Sequence, residues 1–161
     1  MQSMDYSLDS KTIIGIDPGQ KGGLASVGGS NEATPMPLAG KELDALAIAN
    51  WIKEQNPDLV VIEKVHSMPK QGVSSTFKFG KGYGIAIGVV QALGIPLIFV
   101  TPQAWKGRVL AGTTKDKAAA VSYVRSKYPH LSLLATSRSK VPHDGMADAV
   151  CIAEYGRKEV S

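Results

Sequence analysis

The chain has 161 residues, 43% of them hydrophobic, and a formal net charge of +4, which suits one ordinary domain with a single core and leaves no room for two lobes. Its longest apolar run, residues 84–100, is broken by Gln91, Gly94 and Pro96, and its start lacks the basic-then-apolar order of a secretion signal, so a soluble, cytoplasmic protein without a membrane span is expected. The single cysteine, Cys151, excludes an internal disulfide and sits in an apolar pattern that suits a buried, inert thiol, and no Cys/His cluster suggests zinc.

Residues 1–10 show no periodicity and are expected to form a flexible tail, leaving 11–161 as the domain. Ile13, Ile14 and Ile16 favour extended backbone, and Pro18-Gly19 turns the chain directly after Asp17, so a carboxylate stands at a rigid strand end. It is either the cap of a turn or the first ligand of a metal site. Two short strands over 22–27 and 32–36, joined through Gly28-Gly29-Ser30-Asn31, would complete an antiparallel meander. Apolar residues at Leu43, Leu46, Ala47, Ala49, Trp51 and Ile52 have a helical period, which predicts a helix over 42–55 ended by Asn56-Pro57. Leu59-Val60-Val61-Ile62 is a strand apolar on both faces, and it also ends in an acid, Glu63. If the two strands are parallel neighbours, Asp17 and Glu63 face one crevice at their carboxyl ends, where open α/β sheets place their sites.

From residue 64 to 143 the chain carries twelve Lys and Arg against one acid, Asp116, so the basic charge is concentrated in the middle, as a surface for a polyanion would be. Residues 66–72, with Lys70, read as a loop, and Ser74-Ser75 as the cap of a helix running to Leu93. Phe77, Lys78, Phe79 and Lys81 near its start mix cations with aromatics in the way that suits phosphates and unstacked bases, although both phenylalanines could equally be core. Gly80, Gly84 and Gly88 at spacing four leave one face of that helix bare, for a second subunit or for packing on the sheet. Residues 95–100 are predicted as a further buried strand. Thr101 caps a short helix with Pro102 at its first position. A helix over 118–127 is led by Lys115-Asp116-Lys117, and residues 131–141 have no clear element. The last helix opens at Pro142-His143-Asp144. Asp144 and Asp148 stand four apart on it, so they share a face amid apolar neighbours, a like-charge pair that a divalent cation would reconcile.

In order and in kind, Ile14-Gly15-Ile16-Asp17-Pro18-Gly19, Val61-Ile62-Glu63 and His143-Asp144-Gly145-Met146-Ala147-Asp148 resemble the RuvC-like Holliday junction resolvases of the RNase H superfamily. The spacing of the last pair is closer to the phage-type and organellar branches than to bacterial RuvC, whose final acids stand three apart. Here Gly145 occupies that position, so the role falls to Asp144, with His143 as its competitor. The resemblance implies an α/β, RNase H-like fold, a central mixed five-stranded sheet flanked by helices. It also implies an endodeoxyribonuclease that resolves four-way branched DNA, working as a homodimer without a nucleotide cofactor. Lys106, Lys115 and Lys117 are similar to the family's basic residues that meet the scissile strand, and Lys70, Phe77, Lys78 and Lys81 would contact DNA beside them.

Four carboxylates without a catalytic Ser, Cys or Lys constellation point to metal rather than covalent chemistry. Asp17, Glu63, Asp144 and Asp148 would hold two Mg²⁺ ions about 4 Å apart, with Mn²⁺ able to substitute, and Lys117 would neutralise charge on the phosphoryl oxygens. Competing readings are an RNA or RNA–DNA hybrid nuclease and a non-catalytic binder of branched DNA. A phosphotransferase sharing the Asp-x-Gly turn would need a second lobe that this length excludes.

Overall fold

The computed structural model describes residues 11–65 and 72–160. The expected tail and most of the expected loop, including Lys70, lie outside these residues.

The elements in chain order are β1 (Ile13–Asp17), β2 (Gly23–Val27), β3 (Glu32–Pro35), β4 (Leu38–Ala39), β5 (Glu42–Leu43), α1 (Ala45–Gln55), β6 (Leu59–Glu63), α2 (Val73–Ala92), β7 (Leu97–Val100), α3 (Pro102–Val109), α4 (Lys117–Lys127) and α5 (Asp144–Val160). The main sheet has five strands in the order β3-β2-β1-β6-β7. β1, β2 and β3 pair antiparallel, as the short connections at 18–22 and 28–31 require, whereas β6 pairs parallel with both β1 and β7 across helical crossovers. The mixed five-stranded sheet flanked by helices is therefore present as expected.

Because side chains alternate along a strand, β1 feeds two cores. Ile14 and Ile16 pack with Leu24, Val60 and Ile62 against Ile48 and Ile52 of α1 and Ala86 and Val90 of α2. Ile13 and Val61 point the other way, to Trp105, Ala120, Val124 and the buried face of α5. Asp17 and Glu63 are two residues beyond Gly15 and Val61, so both emerge on the α5 side.

Several local expectations differ from what the chain does. The helix predicted from Glu42 begins at Ala45, because Asp44 takes the N-cap, its carboxylate accepting from Ala47 N–H at 3.0 Å. Glu42 and Leu43 instead close a small hairpin with β4 around Gly40, whose φ of 65° suits a glycine. Leu46, counted into the apolar face, is 70% exposed. At α2 the cap is the backbone of Gly72, without a side-chain bond, and not Ser74 or Ser75. The predicted strand at 95–100 begins at Leu97, and as the sheet's edge it leaves Phe99 exposed rather than buried. Thr101 and Pro102 start α3 as expected. Asp116, the one acid of the basic block, caps α4 by accepting from Ala119 N–H at 2.9 Å.

α4 is fastened to α5 by a buried polar group that the sequence does not advertise. Glu154 is completely buried, accepting from the Tyr128 hydroxyl and from Arg157, whose Nε lies 3.0 Å away. Burial and this carboxylate push the hydroxyls of Tyr123, to about 12, and of Tyr128 upward. They therefore stay protonated, and the network fixes the helix that begins with Lys117.

Candidate active site

The register Ile16↔Ile62 between parallel β1 and β6 sets Asp17 and Glu63 side by side at the carboxyl edge of the sheet. α5 runs across the same face, and glycines set how close it comes. A Cβ on Gly15 would stand 2.1 Å from the carbonyl oxygen of Ala149 and 2.4 Å from the nitrogen of Ala153. One on Gly145 would stand 2.3 Å from the carbonyl oxygen of Lys21. The backbones of β1, the β1–β2 turn and α5 thus touch directly, with α5 antiparallel to β1 and its first turns over the strand's carboxyl end. That delivers Asp144 and Asp148 to the crevice holding Asp17 and Glu63.

The electrostatics record this convergence. Burial, then the charges of Glu63 and Asp148, push the Asp17 carboxyl well above the ordinary range, against the pull of Lys106. Asp148 is pushed up to about 6, by burial first, then by Glu63 and Asp144, with Lys106 and Lys117 opposing. Asp144, at the rim, pairs with Lys117 at 3.4 Å. Among the described residues no three His, Cys, Asp or Glu side chains stand at the spacing a bound ion would impose. The acids share one crevice without being closed on one point. Their chemistry suits a hard divalent cation, since they offer only oxygen and together hold more negative charge than Lys106 and Lys117 offset.

His143 is not a free competitor for Asp144. Its Nδ1 accepts from Met146 N–H at 3.1 Å and its carbonyl from Ala147 N–H at 3.1 Å, so it caps α5 and sets the helix that carries the acids.

The other candidates divide into two groups. Lys106 lies near enough to lower both Asp17 and Asp148, and Lys117 reaches Asp144, so these two belong to the crevice. Lys115 sits in the turn before α4 with φ 60°. Lys78 and Lys81 line a separate groove of about 690 Å³ with Phe79, Lys21 and Lys41, which meets the acids only at Asp17. Lys81 is held at 2.5 Å by Glu42. The two phenylalanines part company: Phe79 is half-buried in the groove wall, whereas Phe77 is 74% exposed. Neither lies in the core, because α2 meets the sheet through the small or slender Gly82, Ala86 and Val90. Gly80, Gly84 and Gly88 have open space where a Cβ would be, so this bare face does not pack on the sheet.

Lys78→Ala tests the groove. Each phosphate contact releases counterions, so loss of one should weaken DNA binding most at low salt and make the slope of log affinity against log salt shallower by about 1. Unchanged affinity and slope in a titration from low to high salt would remove Lys78 from the DNA surface.

Sequence reasoning did not find Trp105, the largest fully buried side chain, whose indole N–H donates to Glu63 Oε2 at 2.6 Å. A Thr-Pro start and a helix of eight residues gave no sign that its fourth residue would cross the sheet edge to an acid.

No protein-family model matches the chain. The crossover junction endodeoxyribonuclease RuvC of Paenarthrobacter aurescens is 26% identical over 142 residues, covering 88% of this chain and 70% of that protein. Among solved structures, Thermus thermophilus RuvC in complex with a Holliday junction substrate matches with a TM-score of 0.61 at 20% identity, over 90% of this chain and 91% of that one. The yeast mitochondrial Holliday junction resolvase Ydc2 matches with a TM-score of 0.54 at 12% identity, over 94% and 79%. The sequence match and the shared architecture make this chain RuvC-like, with the RNase H-like fold.

Proposed function

We propose that the chain is a structure-specific endodeoxyribonuclease that resolves four-way DNA junctions by paired, metal-dependent cleavage of the phosphodiester backbone. The observation that carries this reading is the crevice in which burial and the neighbouring charge of Glu63 raise the affinity of Asp17 and Asp148 for positive charge, beside Lys106 and Lys117. Asp17, Glu63, Asp144 and Asp148 would hold the metal, which we take to be two Mg²⁺ ions with Mn²⁺ able to replace them. When bound, such ions supply the Lewis acidity for attack of water on the phosphodiester, leaving a 5′-phosphate and a 3′-hydroxyl.

The protein's own groups do the rest. Lys117 and Lys106 hold positive charge where the scissile phosphate would enter, favouring the extra charge of the transition state. Lys78, Lys81 and Phe79 line the path leading to Asp17, and exposed Phe77 offers a ring on which an unstacked base can lie. Two matched cuts need two sites related by a two-fold axis, so the working form would be a homodimer. Its contact would be the open face of α2, where Val73 is 88% exposed and Gly80, Gly84 and Gly88 let a second backbone approach. No helix among the described residues is long and apolar enough to cross a membrane, and we infer that the protein works in the cytoplasm.

The test is a comparison of a four-way DNA junction with an RNA–DNA hybrid of equal length, each in Mg²⁺. Symmetric nicks in the junction alone are expected. Cutting of the hybrid in preference would move the assignment to an RNA-directed nuclease, and binding without cutting in any divalent metal would overturn the enzyme.

A further inference from the structure

α3 is a short helix whose outer side chains are polar, yet its middle is anchored by Trp105, which has no exposed surface. A buried indole N–H needs an acceptor, and it can only donate. Here the acceptor is not a backbone carbonyl but one oxygen of Glu63, at 2.6 Å, a charge-assisted bond between residues 42 positions apart. The ring is itself fixed on all sides by the core that includes Val61, Val109 and Val150. Glu63 is half-buried at the strand end, with a side chain that has several rotamers to choose from. A rigid donor bonded to a flexible carboxylate selects one of them. The next residue, Lys106, lies with its ammonium 5.5 Å from the indole centroid and acts on Asp17 and Asp148. One helix thus fixes an acid with one residue and balances two others with the next.

We propose that Trp105 is a positioning residue for the cleavage reaction: its indole N–H holds Glu63 in the orientation from which that carboxylate binds the divalent cation. The inference rests on the metal-dependent nuclease reading above. A tryptophan that merely satisfies its own N–H would leave metal binding untouched when the N–H is removed. One that orients a ligand would not, since outer partners of metal ligands typically change metal affinity or activity 10–100-fold.

The experiment compares wild type with Trp105→Phe, which keeps most of the ring volume and deletes the donor. Mn²⁺ binding to the free protein is measured by calorimetry, junction binding in Ca²⁺ by gel shift, and cleavage across a Mn²⁺ series. Expected are a Mn²⁺ affinity about 10-fold or more weaker, a cleavage midpoint shifted to higher Mn²⁺ by a similar factor, and unchanged junction affinity and KM. A Mn²⁺ affinity equal to that of wild type overturns the inference, whatever the cleavage rate. If the phenylalanine variant fails to fold, Trp105→benzothienylalanine, in which sulfur replaces only the N–H, decides by the same readouts. Wild-type protein that neither binds Mn²⁺ nor cuts would instead sink the nuclease reading itself.

Discussion

Asp17→Asn and Asp148→Asn should each lower junction cleavage by roughly 10³-fold while leaving junction affinity within a few-fold of wild type. Asp148 lies outside the α2 groove and Asp17 only at its end, so removing either carboxylate takes away none of the groove's lysines and should leave the main contacts to DNA in place. Stability should change the other way. The Asp148 carboxyl has its pKa raised from the ordinary 3.8 to about 6 by burial and by Glu63. A folded state that holds a proton more tightly than the unfolded chain is favoured at low pH. That contribution is full below about pH 4 and is lost as pH rises through 6. Above it the metal-free protein carries a half-buried carboxylate it would rather protonate, at a cost on the order of 2–3 kcal/mol. Asp17, shifted in the same direction, adds to it.

Asp148→Asn should therefore melt higher than wild type at pH 7.5 in the absence of divalent metal, with a flatter pH dependence between 4 and 6. Mg²⁺ should raise the wild-type melting temperature and barely move the variant's, since a ligand stabilises only what binds it. Full cleavage by either asparagine variant would end the assignment of the acids. A metal-free Asp148→Asn protein less stable than wild type at neutral pH would show that the carboxylates do not strain the crevice.

The parts of this site that could be read in the sequence are those in which one local stretch carries the whole signal. Ile13–Asp17 and Leu59–Glu63 are apolar on both faces and end in an acid, which is enough to predict two buried strands and a shared carboxyl edge. Asp144 and Asp148 need only the helical repeat. What could not be read is set by contacts between distant residues. Leu43 and Leu46 imitate one helical face although they belong to a hairpin and to an exposed position. Phe77 and Phe79 are two apart, so on a helix they point in different directions. Nothing local says which one faces the groove, because α2 is oriented by Gly82, Ala86 and Val90. Glu154 looks like a surface charge near the end of the chain until Tyr128, 26 residues earlier, folds over it. Gly15 lies between, since a glycine inside a strand announces a close backbone approach but does not name the partner.

That partner makes Gly15→Ala a severely damaging methyl addition to the wall of the crevice. The new Cβ would meet Ala149 O at 2.1 Å and Ala153 N at 2.4 Å, and both belong to the backbone of α5. A side chain could rotate away. A helix backbone held by its own hydrogen bonds has to move as a body, and α5 cannot retreat from β1 without also lifting from β2, where Gly23 meets Gly145 and Met146. The expected loss is about 3 kcal/mol, at the upper end for overpacked cores, seen as a lower denaturant midpoint with an unchanged slope. Cleavage should suffer more than stability does. Asp148 rides on α5, and a displacement of about 1 Å of a catalytic group can alone cost 10²-fold, so folded Gly15→Ala protein at low temperature should bind junctions and scarcely cut them. Gly107→Ala is the matched control. It makes the same chemical change in the middle of α3, where nothing lies within 4 Å of the added carbon, so it should raise stability by about 0.5–1 kcal/mol through helix propensity. Gly15→Ala protein that melts and cuts like wild type would mean that α5 does not rest on β1 at this distance, and the crevice built from it would have to be abandoned.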